Sequence, residues 1–316
     1  MNTKFKMMGT AIAFAATIAA PSMSLAKDLT IMTSLPTLQH PFFVHMQNEL
    51  NDEAGTLGSI KIVAADGQGS SPKQAADIEN AIVQGVDGII ISPNDVNALA
   101  TSIEEAIEAG IPVVTIDRRV DNVDGILAHI GADNVSGGET QANFLVKMFP
   151  DGARVVNLQG QPGSSPAIDR SEGFHNVLDG MSDKYQIVAE QTANWNRSEA
   201  LNVINSILAG METPPDVVNT ANDEMGFGVV EAFRAAGLEI PVITFDAGPE
   251  ALVSVRDGGL SGTVDQYPGQ QSRTAMNILV SFLRDGTKPE QAVTLIVPQM
   301  ITKDNLDTSE RIAEVK

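Results

Sequence analysis

The 316-residue sequence contains no cysteine, so it offers neither a disulfide framework nor a thiolate metal site. Stability must come from packing. Aromatic residues are few, with one Trp and two Tyr, while Leu, Ile, Val and Ala are plentiful, which suits sheets covered by helices on both faces. Basic residues number 20 against 40 acidic ones, a net charge of −20. A surface of that sign repels nucleic acid phosphates and anionic lipid headgroups, so nucleic acid is not an expected partner.

Catalytic signatures are also missing. Among the four histidines, His40 and His45 have the wrong spacing for a two-histidine helix site, and nothing matches H-E-x-x-H. His129 and His175 fit structural roles. There is no G-x-S-x-G elbow and no G-x-x-x-x-G-K-[ST] loop, and the glycines of Gly160-Gln-Pro-Gly-Ser-Ser165 have only weak phosphate-loop spacing. No catalytic residue, metal site or cofactor is therefore expected.

What is present begins with a leader. Over residues 1–26, Lys4 and Lys6 precede an apolar run from Met7 to Ala20, Pro21 breaks it, and Ser24-Leu25-Ala26 offers a small-x-small cleavage site. The run is shorter than the ~20 residues of a membrane span, so a cleaved export signal fits better than an anchor. The mature chain would start at Lys27 in the periplasm; losing two lysines takes its charge from −20 to −22.

Beyond the leader, strand-like segments alternate with amphipathic helical ones. Leu29–Thr33, Ile60–Ala65, Gly88–Ser92, Pro112–Asp117 and Ile126–Ile130 read as strands, and Pro41–Ala54, Pro72–Val83 and Val96–Ala109 as helices. The cadence restarts with strands at Arg154–Gln159, Gln186–Gln191, Val217–Asn222, Pro241–Asp246 and Gly262–Gln266. Ile111-Pro-Val-Val-Thr-Ile-Asp117 nearly repeats as Ile240-Pro-Val-Ile-Thr-Phe-Asp246, an offset of 129 that also carries Asp87 onto Asp216. The expected fold is thus α/β, with two doubly wound, Rossmann-like parallel-sheet lobes in tandem.

Open parallel sheets bind ligands beyond the carboxyl ends of their strands. Those ends carry Asp117 and Arg118, Gln159, Asn222, Asp246 and Gln266. Any one acid alone could equally cap a helix or stabilise a loop, but their recurrence in both halves points to a cleft. Carboxylates accept from hydroxyls, Arg donates in a fixed fork and amides do both, which suits a neutral polyhydroxylated ligand. Flat walls for its apolar faces could come from Phe42, Phe43 and Trp195. Adjacent helix positions point about 100° apart, so one Phe could belong to the core, and Trp195 could be either a site or a core residue.

At these residues the chain resembles the periplasmic sugar-binding proteins of the ribose-binding type, over essentially the whole mature sequence. The motifs that carry the resemblance are His40-Pro-Phe-Phe43, Thr115-Ile-Asp-Arg118, Leu158-Gln-Gly160 through Ile168-Asp-Arg-Ser-Glu-Gly173, Asn222-Asp-Glu-Met225, Phe245-Asp246 and Asp265-Gln-Tyr-Pro268. It implies a type I periplasmic binding fold in which Phe42 and Phe43 sandwich a sugar with Trp195, and Asp117, Arg118, Asn222, Asp246 and Gln266 bond its hydroxyls. His40 stands where ribose binders have Asn, and Ile168 where they have Arg, so Arg170 would supply the guanidinium. The stretches Glu190-Gln-Thr-Ala-Asn194, Thr213-Pro-Pro-Asp216 and Phe245-Asp-Ala247 look more like the myo-inositol and polyol binders.

The resemblance also implies a three-segment hinge near residues 132–134, 265–266 and 297–299. One lobe would hold 27–132 and 266–297, the other 133–265 and 298–316. A monomer delivering its sugar or polyol to an inner-membrane ABC permease is implied, with chemoreception as an alternative. A sugar-responsive transcription regulator shares the fold, but would need a basic helix-turn-helix where this chain has its leader.

Overall fold

The aliphatic, β-branched segments form strands wherever both faces can be covered. The computed structural model describes residues 28–315 together with Met1; the expected leader and its cleavage site otherwise lie outside the described residues. The chain runs β1 (Leu29–Leu35), α1 (Pro41–Leu57), β2 (Ile60–Asp66), α2 (Ser71–Gln84), β3 (Gly88–Ile91), α3 (Ala100–Glu108), β4 (Val113–Ile116) and β5 (Ala128–Ala132). It continues through α4 (Asn134–Met148), β6 (Ala153–Gln159), α5 (Ser165–Leu178), β7 (Tyr185–Thr192), α6 (Arg197–Ala209), β8 (Val217–Thr220), α7 (Asp223–Ala236), β9 (Val242–Phe245), α8 (Pro249–Asp257) and β10 (Gly262–Asp265). It closes with α9 (Pro268–Asp285), β11 (Val293–Ile296) and β12 (Gln299–Ile301). None of the described helices is long and apolar enough to cross a membrane.

Two six-stranded sheets result, ordered β11-β5-β4-β3-β1-β2 and β12-β10-β9-β8-β6-β7. The orders match strand for strand, as the internal repeat requires. The first sheet is parallel throughout. In the second, β12 runs antiparallel to β10, because it enters directly from β11 of the other sheet with no crossover helix to reverse it. The chain passes between sheets after β5, after β10 and after β11.

Alternation along β1 shows how each sheet is buried. Ile31 and Leu35 face α1 and α9, where Met46, Leu50, Met276 and Leu279 meet them, while Met32 faces α2 and α3 with Ile78 and Ile103. The polar residues between them are satisfied: Thr33 Oγ1 donates to Gln47 Oε1 at 2.9 Å, and Gln74 Nε2 donates to Ser34 Oγ at 3.2 Å. The second sheet is sandwiched likewise, α4 and α5 on one face and α6, α7 and α8 on the other.

Element ends differ from the sequence reading by a few residues. The helix expected from Val96 starts only at Ala100, because Asp95 Oδ1 accepts from the backbone N–H groups of Asn97 and Ala98 and holds a turn there. The copies also differ: α8 fills the connection from β9 to β10, whereas β4 and β5 are joined by a helix-free loop.

Helices α4 and α5 touch backbone to backbone. A methyl group at Gly138 would run into the carbonyl oxygen of Arg170, and one at Gly173 into that of Val135. Gly138→Ala should therefore destabilise the protein by ~1–3 kcal/mol through overpacking, although an unhindered helical site would gain ~1 kcal/mol from the same change. Urea unfolding measures this, and a variant as stable as the parent would mean that the two helices separate freely.

Candidate functional site

The carboxyl ends of the two sheets face each other across a cleft that encloses a cavity of about 350 Å³. It is lined by His40, Phe42, Phe43, Asp117, Arg118, Arg170, Trp195, Asn222, Asp246 and Gln266, so the structure brings every expected residue to one place. Gln159 is the exception among the strand-end polar residues. It sits at the end of β6, but its amide donates to Ser171 Oγ at 2.9 Å and does not line the cavity.

Local backbone geometry aims these groups. Asp117 and Asp246, matched in the internal repeat, both have left-handed backbones, with φ of 58° and 111°. Such conformations cost L-residues of order 1 kcal/mol or more and persist only where the surroundings enforce them. After β4, the Arg118 N–H donates to the Ile116 carbonyl at 2.5 Å, a three-residue turn that brings Arg118 to the cleft. Asn194 and Trp195 are also left-handed, with φ of 51° and 63°. They lay the indole so closely over Gly160 that a methyl group there would overlap the ring. The sequence offered no signal for that contact beyond the presence of glycine.

His40 and Asn222 cap helices and meet across the cleft. The His40 Nδ1 accepts from the Phe42 N–H at 3.3 Å at the start of α1, and Asn222 Oδ1 accepts from the Met225 N–H at 3.0 Å at the start of α7. The His40 Nε2 and Asn222 Nδ2 then lie 3.0 Å apart. Phe42 and Phe43 belong to the first lobe's core and also form the cavity wall, their rings edge to face at 5.2 Å. They pack in the core and face the cavity at once, as does Trp195, which is half-buried, packs on the second lobe's core and lines the cavity.

Charges in the cleft balance. Asp117 accepts from Ser92 Oγ at 3.2 Å and lies 3.8 Å from Arg118 Nε. Asp246 accepts from Gln266 Nε2 at 2.7 Å and lies 3.6 Å from Arg170 Nη1. Arg170 also donates to Asn134 Oδ1 at 2.8 Å and to the Ala221 carbonyl at 2.7 Å, with its guanidinium 3.5 Å from the centre of the Phe245 ring. Burial raises the pKa of both carboxyls against the opposing pull of the arginines, and lowers that of Arg118 to about 10. Arg197 and Glu224, paired at 3.1 Å, line the cavity as well, so three guanidiniums face three carboxyls there and a ligand has no excess charge to neutralise.

Among the described residues, four buried polar atoms of cavity-lining side chains have no hydrogen-bond partner: Arg118 Nε, Trp195 Nε1, Asn94 Oδ1 and Gln266 Oε1. Two are donors and two acceptors, and each costs ~1–3 kcal/mol unmade. Asn94 was missed from sequence: it lies in a loop past β3, and at the offset of 129 it falls on Asp223, which the second copy commits to Thr244 and Thr263. Glu224 and Asn194 also line the cavity unanticipated.

Comparison with known proteins agrees with this geometry. A family model described as periplasmic binding protein domain matches residues 31–288. The ribose import binding protein of Bacillus subtilis (strain 168) is 41% identical over 244 residues, 77% of each chain. That of Escherichia coli (strain K12) is 35% identical over 270 residues, covering 84% of this chain and 88% of the relative. The crystal structure of the Caulobacter myo-inositol binding protein bound to myo-inositol superimposes with a TM-score of 0.88 at 41% identity, covering 92% of this chain and 98% of that one.

The cleft's electrostatics make a pH prediction. Burial first, then Arg118 and Arg170, lower the His40 pKa from 6.5 to about 4. Between those values the unfolded chain takes up a proton that the folded chain refuses, so stability is full above pH 6.5 and falls as pH drops towards 4, by ~3 kcal/mol for this group. NMR titration of the His40 ring should find its midpoint near pH 4, and His40→Gln should lose less stability than the parent between pH 6.5 and 4.5. A midpoint near 6.5 would contradict the burial described.

Proposed function

The chain belongs to the periplasmic binding protein domain family, and from that premise we propose that it is the solute-binding component of an ABC importer that closes around a neutral monosaccharide, sugar alcohol or cyclitol. The observation that carries this reading is the matched set of three guanidiniums and three carboxyls in one small cavity, together with aromatic walls and buried donors and acceptors that lack partners among the described residues. A charged ligand would leave a buried charge uncompensated. A polyol instead offers each hydroxyl as both donor and acceptor.

In this reading His40, Asp117, Arg118, Arg170, Asn222, Asp246 and Gln266 bond the hydroxyls, and Phe42, Phe43 and Trp195 cover the apolar face. About 350 Å³ lies at the small end of ligand pockets, suited to a single ring. Myo-inositol is the leading ligand, supported by His40 and Ile168 in place of the ribose binders' residues and by the Caulobacter relative solved with it. Segments 132–134, 265–266 and 297–299 act as the hinge between a lobe of 27–132 plus 266–297 and one of 133–265 plus 298–316. The ligand shifts the equilibrium because it touches both lobes only when they are closed. The protein works as a monomer in the periplasm, exported by a leader cleaved after Ala26, has no catalytic step, binds no nucleic acid and presents its closed form to the permease.

Thermal-shift screening of myo-inositol against ribose, other sugars and alditols tests the ligand. A ligand at about 100 times its dissociation constant should add ~2.7 kcal/mol of stability; no shift with any of them would reject sugar binding. Asp117→Ala and Asp246→Ala should each weaken the best ligand by ~1.5–3 kcal/mol in calorimetry, while unchanged affinity would remove those carboxylates from the site. Trp195, the sole tryptophan, should change its fluorescence on saturation, and a silent signal would place it outside the ligand's wall.

A further inference from the structure

Outside the ligand cavity a second set of contacts crosses between the lobes. On the first lobe it comprises the turn after β3 and the loop after β4; on the second, the approach to α5 and its first turns. The Val96 N–H donates across the seam to the Gly163 carbonyl at 2.9 Å, while within the first lobe the Val96 carbonyl accepts from the Asp121 N–H at 2.7 Å and ties the turn to the loop. The Arg119 N–H donates to Ser165 Oγ at 3.1 Å. The Arg119 side chain spans the seam, its Nε on Asp121 Oδ1 at 3.0 Å and its Nη1 on Asp169 Oδ2.

The internal repeat marks this arrangement as a departure. At an offset of 129, Arg118 and Arg119 fall on Ala247 and Gly248, which lead into α8, whereas the arginines lead into a loop with no helix. That loop is free to run along the lobe edge. Adjacent residues on each lobe then divide the work: Arg118 and Arg170 line the ligand cavity, while Arg119 and Asp169 do not and meet each other.

We propose that Arg119 and Asp169 form a closure latch, positioning residues that hold the lobes together and set how long a ligand stays bound without touching it. Asp121 orients the Arg119 guanidinium from its own lobe, so little side-chain freedom is lost when Asp169 arrives. Asp169 is 16% exposed and Arg119 35%, so the pair is shielded more than an ordinary surface ion pair. A bond made only in the closed form slows opening and raises the closed population, and the apparent dissociation constant follows that population. Entry through the open form is unaffected.

The proposal rests on the sugar-binding reading for its ligand, and the test separates the two. With myo-inositol as probe, Asp169→Asn and Arg119→Gln should each weaken binding by about five- to tenfold. The loss should appear in the release rate, and the double variant should lose no more than either single one. Unchanged affinity, or losses that add, overturns the latch. Failure of myo-inositol to bind the parent protein rejects only that ligand. The latch is then tested in the ligand-free protein by spin labels at Lys61→Cys and Glu212→Cys, placed cleanly because the chain has no cysteine. Asp169→Lys, which opposes Arg119 with a like charge, should lengthen the inter-lobe distance, and an unaltered distribution overturns the latch.

Discussion

The burial of Arg170 is the constraint around which the second lobe and the cleft are arranged. A guanidinium in a protein interior is stable only when its donors are met and its charge is answered. Asn134 at the start of α4, the Ala221 carbonyl past β8 and Asp246 past β9 supply those needs from three parts of the chain, and the Phe245 ring closes the remaining face. Gly138 and Gly173 let α4 and α5 approach closely enough for Arg170 to reach Asn134. Helix packing, strand ends and cleft chemistry therefore depend on one side chain.

The first lobe answers with Arg118 and Asp117, but by a different construction. Arg118 donates to the Asn94 carbonyl and lies 5.3 Å from the centre of the Phe43 ring, so its charge is held against the wall that would cover a ligand. In the second lobe the acid next to the Asn222 cap is committed elsewhere. Asp223 accepts from Thr244, Thr263 and the Gly248 N–H, and burial raises its pKa to about 7. It ties β9, β10 and the start of α8 together behind the cleft. Similar residues thus serve binding chemistry or scaffold according to which side of the strand ends they face.

Much of this was legible before any coordinates, because the tandem repeat forces the same strand order twice and the polar strand ends follow from it. Asp117 and Asp246 could be paired from sequence because identical positions in two copies share one geometry. Gln159 had no such partner: its position at a strand end was read correctly, but its amide turns to Ser171. The parts played by Asn94 and Gly160 were invisible, since the repeat matches Asn94 with an acid that serves the scaffold, and the Gly160 contact acquires meaning only when distant loops meet.

The sequence by itself determined the α/β class, the duplication, the aliphatic cores and the residue types that reach the cleft, since local periodicity and strand-end chemistry are written in neighbouring residues. Only the tertiary structure decided which groups meet across the lobes: His40 with Asn222, Arg119 with Asp169, and Arg170 with Asn134 and Asp246. The charge balance of the cleft was likewise hidden, because it depends on burial and on distances of a few ångströms between residues far apart in the chain. The antiparallel turn of β12 belongs with these: its direction follows from where the chain re-enters the second lobe, which no local preference encodes.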